Sequence, residues 1–309
     1  MRVLRTTGGE VVALAFSASG DALAAAAVPN HGIFLWNLHE GGDEGVHLDS
    51  SASLQTRHLH FTPDGRSLAW FAGQSRKVYS RDRRRAAVTK LAASGRIIGM
   101  TQTPDGGRLV TQHSSFREPA LIGWSGSGVD WEQDWSIPTE KLSIHTAAVC
   151  PTGARLAVLT RETRPGRFWD SNPIQLELRS AVNGIVQAKT KYAPKYHGPL
   201  VFSPDGTQLV GSNDMTLLVW PVPELGAAKL IRNDTRKHFT SLAYHPTGRH
   251  LFAASNDGTV HVFDTTTWER VRRFKWGLGR LRSVAVSPDG LLAAAGGDRG
   301  EVAFWDVDL

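Results

Sequence analysis

The stretch VFSPDG, from Val201 to Gly206, is a short apolar run that ends in a Pro-Asp-Gly turn. Proline presets φ in such a turn, and glycine accepts the positive φ that closes it. Nearly the same stretch returns as HFTPDG at 60–65, TQTPDG at 101–106 and AVSPDG at 285–290. A turn that recurs along a chain in this way indicates that one structural unit is repeated.

Seven turns of this kind mark the repeat, and their last residues are separated by 45, 41, 47, 53, 42 and 42 residues. A short apolar run precedes and follows each turn, which is typical of two antiparallel strands joined tightly. A third strand follows in most units, as in EVAFWD at 301–306, and a fourth, such as RVRRF at 270–274, leads into the next unit. The marking glycines are Gly20, Gly65, Gly106, Gly153, Gly206, Gly248 and Gly290.

Four short strands per unit, repeated seven times without helical periodicity, predict an all-β fold, a seven-bladed β-propeller of four-stranded antiparallel blades. The sequence ends at Leu309, directly after the third strand of the last unit. RVLRTTGG at 2–9 is similar to RVRRFKWG at 270–277, which covers the outer strand of the preceding unit. We therefore expect Arg2–Thr7 to complete the last blade beside Glu301–Asp306, within a single domain over residues 1–309.

The repeat resembles that of the WD-repeat (WD40) β-propeller family in its period and its turn. The units lack the family's Gly-His pair, and Thr7, Thr235 and Gly277 lie near its position instead. The resemblance implies that Asp214 and Asp257, which match the family's Asp position, tie a turn to neighbouring backbone. It also rests on the closing pairs Trp36–Asn37, Phe263–Asp264 and Trp305–Asp306.

The composition is that of a globular protein: 309 residues, 41% hydrophobic and 21% charged. The single cysteine, Cys150, excludes an intrachain disulfide. The first residues lack the apolar core of a secretory signal, and the most apolar stretch is too interrupted for a membrane span. We therefore expect a cytoplasmic protein that does not associate with membranes. The net charge of +6 permits an anionic partner without requiring one.

The turns between the second and third strands, here called b–c turns, are long in three units: 27–32, 112–120 and 161–173. The resemblance places them on the face opposite the Pro-Asp-Gly turns. Loops this long are often functional, and Arg and Trp are enriched in binding hot spots. The alternative is that Phe168 and Trp169 pack against their own loop.

The sequence therefore predicts a non-enzymatic scaffold without a cofactor, a monomer that binds a protein or peptide partner on the b–c face near the central channel. The predicted contact residues are His31, Phe116, Arg117, Arg164, Arg167, Phe168 and Trp169.

Two alternatives stay open. The basic runs at 80–85 and 270–276 suggest a rim that binds nucleic acid or another polyanion, through Arg81, Arg83, Arg84 and Arg85. Both runs fall at or near predicted outer strands, however, where Lys and Arg discourage edge pairing.

The second alternative is a metal-dependent enzyme with a site in the central channel. His58 and His60 lie two residues apart on one predicted strand, a spacing that can chelate a metal, but the sequence names no third ligand. We expect no metal, and Cys150 to be a buried structural residue. Trp131 and Trp135 fit no blade position, so we expect them to anchor a linker to the rim.

Overall fold

In the computed structural model of the chain, every regular element that the described residues form is a β-strand. By their contacts the residues form two compact units, Met1–Thr89 with Arg232–Leu309, and Lys90–Ile231. The single domain over residues 1–309 stays a prediction. The structure describes residues 1–29, 31–49, 58–72, 75–81, 85–90, 96–103, 105–114, 119–127, 130–138, 142–162, 174–192 and 198–308.

The first unit contains four four-stranded sheets, named here by their order along the chain. Sheet 1 is β2 (Glu10–Phe16), β3 (Ala22–Val28), β4 (Gly32–Asn37) and β5 (Val46–Asp49). Sheet 2 is β6 (Leu59–Phe61), β7 (Ser67–Ala72), β8 (Ser75–Ser80) and β9 (Arg85–Lys90). Sheet 6 is β22 (Phe239–Tyr244), β23 (His250–Ser255), β24 (Thr259–Asp264) and β25 (Arg270–Lys275). Sheet 7 is β26 (Leu281–Val286), β27 (Leu292–Gly297), β28 (Glu301–Asp306) and β1 (Arg2–Arg5).

The second unit contains three four-stranded sheets. Sheet 3 is β10 (Arg96–Gln102), β11 (Arg108–Ser114), β12 (Pro119–Ser127) and β13 (Asp130–Pro138). Sheet 4 is β14 (Leu142–Val149), β15 (Arg155–Glu162), β16 (Ile174–Ser180) and β17 (Val186–Lys191). Sheet 5 is β18 (Leu200–Phe202), β19 (Gln208–Asn213), β20 (Thr216–Pro221) and β21 (Lys229–Arg232).

The predicted blade count needs a correction. Six blades, not seven, are built from four consecutive strands, because the last repeat supplies only β26, β27 and β28. The remaining sheet is composite: β1 pairs antiparallel with β28, so that Arg2 lies opposite Phe304 and Arg5 opposite Glu301. The predicted role of the N-terminal strand is therefore confirmed at Arg2–Arg5.

Buried side chains pack the sheets against their neighbours. β3 reads ALAAAAV and is buried at every position, because both faces of the strand are covered. Ala24 and Ala26 join the core beside Trp70 of sheet 2, whereas Leu23 and Ala25 join the core beside Phe304 of sheet 7. This alternation follows the two-residue period of a strand.

Side-chain hydrogen bonds stabilise the Pro-Asp-Gly turns. In the turn before β19, the Ser203 hydroxyl donates to Asp205 over 2.5 Å, and the Thr207 amide donates to the same carboxylate over 3.0 Å. The Ser203 hydroxyl in turn accepts the Gln208 amide over 2.9 Å. The same 2.5 Å hydroxyl–carboxylate bond recurs at Thr62–Asp64, Thr103–Asp105 and Ser287–Asp289.

The fourth strands carry the exposed surface. β25 is exposed at Arg270, Val271, Arg272, Arg273 and Lys275, as expected of a basic outer strand. The expectation for Trp131 and Trp135 is wrong, because both belong to β13, the outer strand of sheet 3. They escaped prediction because β13 is nine residues long and lacks the basic pattern of β25.

In the part of the chain that the structure describes, no helix is long and apolar enough to cross a membrane.

Candidate functional site

Three neighbouring sheets of the first unit present their b–c turns together. The turn surface, as we name it, consists of residues 28–29 and 31–32, 256–258 and 298–300 with the inter-sheet segments 6–9, 233–238 and 276–280. Backbone bonds join these parts: the Asn256 amide donates to the His238 carbonyl over 3.0 Å, and the Thr6 amide donates to the Gly300 carbonyl over 2.9 Å.

Two glycines bring the segments of the turn surface into contact. A Cβ on Gly258 would lie 2.6 Å from the Gly279 carbonyl oxygen, and one on Gly300 would lie 2.7 Å from Gly8 Cα. Both glycines have a positive φ, 82° and 78°, a backbone conformation that residues with a side chain rarely adopt. The close approach therefore requires glycine at both positions, and it makes the turn surface continuous across sheets 6, 7 and 1.

In sheet 6, side chains hold the backbone of the turn surface. The buried Asn233 side chain accepts the Thr235 amide and hydroxyl at its Oδ1 over 3.1 and 3.0 Å, and its Nδ2 donates to the Lys237 backbone carbonyl over 2.8 Å. Burial opposes ionisation of Asp257, but hydrogen bonds from Thr235, Thr259 and Ser255 outweigh it and keep the pKa of this carboxyl below its ordinary value. The prediction that Asp257 ties its turn to neighbouring backbone is confirmed by its bond from the Thr259 amide.

Sheet 7 uses an aspartate in a similar way. Asp298 accepts the Arg280 amide over 3.1 Å, and its own amide donates to the Arg280 carbonyl over 3.0 Å. The Arg299 guanidinium reaches the Gly277 carbonyl over 3.4 Å. These contacts fix the backbone around Arg280 and Arg299 while the two side chains stay exposed.

The turn surface carries four exposed basic side chains and three aspartates, Asp234, Asp257 and Asp298, which hydrogen-bond within the protein. Arg236, Lys237, Arg280 and Arg299 are exposed, and within the described residues no carboxylate lies at ion-pair distance from them. Arginine in such a setting offers several N–H donors to a carboxylate or phosphate. The surface is therefore suited to an anionic group presented by a partner.

An ion pair lies beside the turn surface, between the first strands of sheets 7 and 1. Arg282 donates to Glu10 over 3.0 Å, with the two side chains 30% and 39% exposed. Arg282 belongs to β26 and Glu10 to β2, and the Ser283 hydroxyl also donates to the Val11 carbonyl over 2.7 Å. These bonds join the first strands of sheets 7 and 1.

His31 is the one predicted contact residue that the structure describes, and it lies on the turn surface. Its ring Nδ1 is 3.3 Å from the Thr7 hydroxyl, and the ring packs against Gly8 and Gly9. Its carbonyl accepts a hydrogen bond from His47 Nε2 over 3.2 Å. His31 therefore also joins the segment after β1 to the first b–c turn. Outside the described residues lie Phe116, Arg117, Arg164, Arg167, Phe168 and Trp169, which stay predictions.

The predicted polyanion residues do not meet in one described site. Arg81 forms a two-point ion pair with Asp21, at 3.2 and 2.9 Å, and also donates to the Gly65 carbonyl over 3.0 Å. The Arg81 hydrogen bond is the main cause that holds the pKa of Asp21 well below its usual range. Arg83 and Arg84 lie outside the described residues, and Arg85 is described only as a backbone position in β9.

The two histidines considered as an alternative metal site lie close together. The rings of His58 and His60 are nearly parallel, at an interplanar angle of 2°, with centroids 6.4 Å apart. Across the described ranges, no group of three or more His, Cys, Asp or Glu side chains is arranged to hold a metal ion. Cys150 is fully buried, as predicted, and its sulfur lies 3.2 Å from the Thr152 hydroxyl.

Sequence reasoning missed the basic side chains of the turn surface. Arg280 and Arg299 stand in GLGR and GDRG, each next to a glycine that the repeat pattern treats as an ordinary turn residue. Arginine next to glycine in a short turn was the available signal. Single turn residues are hard to weigh without knowing that three turns converge.

The sheets define an all-β protein of repeated four-stranded blades, and the comparisons with known proteins support this fold. Residues 200–221, 231–264 and 268–306 match the family described as WD domain, G-beta repeat. Over these residues the chain carries repeats of the WD40 type, as its repeat predicted. WD40 propellers generally serve as platforms for protein interaction.

The curated relatives match this chain over short stretches, and one of them is named as a WD-repeat protein. The WD repeat-containing protein 3 homolog of Dictyostelium discoideum is 26% identical over 110 residues, which are 36% of this chain and 11% of that protein. Cilia- and flagella-associated protein 57 of Mus musculus is 35% identical over 19% of this chain and 5% of its own length. Meiotic recombination protein rec14 of Schizosaccharomyces pombe is 30% identical over 34% of this chain and 35% of its own length. The matches therefore span about a third or less of each relative.

A solved structure supports the fold over nearly the whole chain. The β-propeller domain of Cps50 (Swd1) from Myceliophteria thermophila has a TM-score of 0.75 and covers 99% of this chain and 100% of its own. The two sequences are 15% identical, so the likeness concerns the fold alone. The β-propeller class predicted from the repeat is confirmed.

Proposed function

We propose that the protein is a non-enzymatic, cytoplasmic interaction scaffold whose turn surface binds an acidic segment of a partner protein. The observation that carries the proposal is the group of exposed cations, Arg236, Lys237, Arg280 and Arg299, on backbone that the side chains of Asn233 and Asp298 hold in place. Because that backbone is ordered before binding, little conformational entropy opposes association. Exposed arginines at a fixed surface are typical of binding hot spots.

The interaction is tested by quantitative capture from cell lysate, followed by measurement of Kd for the purified partner. Arg280→Glu combined with Arg299→Glu is expected to raise Kd at least about tenfold, because it places like charges opposite an acidic segment. Arg66→Glu combined with Arg249→Glu is the matched control, since both residues are exposed and lie beside Pro-Asp-Gly or Pro-Thr-Gly turns instead. The control variant should retain the wild-type Kd.

Equal Kd values for the two double variants would move the partner site away from the turn surface. Both variants should melt at the wild-type temperature, because exposed substitutions change stability by about 0.5 kcal/mol or less.

Nucleic acid is the second candidate, because the same four exposed cations would also attract phosphates. Binding of this kind weakens steeply with salt, with log K falling in proportion to the number of phosphates neutralised. Titration of a fluorescent duplex at several salt concentrations separates the candidates. A steep slope that Arg280→Glu and Arg299→Glu reduce would favour nucleic acid, and no measurable duplex binding would favour the protein partner.

A further inference from the structure

A groove of about 340 Å³ lies between sheets 1 and 2, away from the turn surface. Its apolar wall includes Leu35 and Trp36 of β4, Val46 of β5 and Tyr79 of β8. Val46 is 62% exposed, although it belongs to a strand that pairs with β4 through Leu35. The volume lies within the range of sites that enclose a side chain or a small ligand.

Two carboxylates line the same groove. Glu40 and Glu44 belong to the loop between β4 and β5, and both are exposed. Among the residues that the structure describes, no lysine or arginine lies at ion-pair distance from either one. Arg81, the cation in the groove lining, is already engaged by Asp21 over 2.9 Å. The groove therefore combines an apolar wall with two carboxylates that form no ion pair among the described residues.

The loop that carries the two carboxylates is held in place by hydrogen bonds that its backbone carbonyls accept. The Arg2 guanidinium donates to the carbonyls of Leu38, Glu40 and Gly42, at 3.4, 3.3 and 3.2 Å. The Arg5 amide and the Trp36 indole N–H both donate to the Asp43 carbonyl over 3.1 Å.

The Glu40 side chain is oriented in addition by Asn37, whose amide group donates to it over 3.0 Å. Fixed loops of this kind lose little entropy when a ligand binds.

We infer that this groove binds an extended, basic peptide segment of a partner protein, with one Arg or Lys side chain inserted. The aliphatic stem of such a side chain would lie on Leu35 and Val46, and its charged head would reach Glu40 and Glu44. Charge complementarity selects this occupant, because an acidic or neutral segment would leave the two carboxylates without a partner.

The test uses the full chain and an array of octapeptides in which position 4 is Arg, Lys, citrulline or Glu and the other positions vary among Leu, Ser and Gly. Peptides with Arg or Lys at position 4 should be retained at least about tenfold more than the matched citrulline peptides. Citrulline keeps the shape of arginine without its charge. The best octapeptide should also bind more tightly than free arginine amide.

The variant Glu40→Gln with Glu44→Gln should lower the affinity for the best octapeptide at least about tenfold. Glu224→Gln with Glu269→Gln, which changes the charge equally at exposed sites elsewhere, should not. Val46→Ser should weaken binding through the stem contact alone. Arg280→Glu with Arg299→Glu should leave octapeptide binding unchanged, so failure of the turn-surface proposal is distinguishable.

Three outcomes would overturn the inference: no preference for Arg or Lys at position 4, equal losses in the two glutamine variants, or free arginine amide that binds as tightly as the octapeptide.

Discussion

At the residue scale, one hydrogen bond from a hydroxyl to a carboxylate explains why the Pro-Asp-Gly turn sequence repeats. The Ser203 hydroxyl donates to the Asp205 carboxylate within the turn, and three further turns contain the same type of bond. In each of them the Ser or Thr hydroxyl is the largest cause that lowers the pKa of the aspartate. The sequence predicted the turns from Pro and Gly, whereas the role of the preceding Ser or Thr required the structure.

Asp205→Asn should lower the free energy of unfolding at neutral pH by about 1 kcal/mol, an estimate reduced because the carboxylate is exposed. Since the folded pKa is lowered, the charge contributes stability above the unfolded pKa of about 3.9 and loses it as pH falls toward the folded value. Urea unfolding at pH 7 and pH 3 measures this. The difference between wild type and variant should shrink at pH 3, and Asp308→Asn serves as an exposed control. A difference that grows on acidification would contradict the assignment.

At the element scale, β1 shows how a distant segment completes a sheet. Leu4 is 1% exposed and packs in the core shared by sheets 7 and 1, while the adjacent Arg5 is exposed. Arg2 lies 5.4 Å from the centroid of the Phe304 ring in addition to holding the loop after β4. The pairing of β1 was predictable because RVLRTTGG resembles RVRRFKWG. The Arg2 contacts were not, because they join residues more than 35 positions apart in sequence.

Leu4→Ala should destabilise the protein by about 2–4 kcal/mol, because it removes buried methyl groups and leaves a cavity in the core. Arg5→Ala, in the same strand, should change stability by about 0.5 kcal/mol or less. Thermal melts of the two variants measure the difference. Equal melting temperatures would mean that β1 contributes little to sheet 7.

At the scale of the whole molecule, the repeat predicted the class of fold better than the site. Period, turn and closing aromatic residues are local signals, so they identified the strands. The turn surface joins residues from three regions of the sequence, such as Gly8, Gly258 and Gly300, and no local pattern shows that these turns converge. The proposed function therefore depends on one property of the molecule, that the turn surface is ordered before any partner binds.

Hydrogen exchange of the free chain tests that claim most directly. The amides of Thr6, Asn256 and Asp298 donate to backbone carbonyls of the turn surface, so they should exchange at least about a hundredfold more slowly than in an unfolded chain. The backbone amide of Arg299, an exposed residue for which no backbone bond of this kind is found in the described structure, provides the internal reference. Protection of the three amides without a partner is the predicted result. Exchange of the same three amides at unfolded-chain rates would contradict a preformed surface.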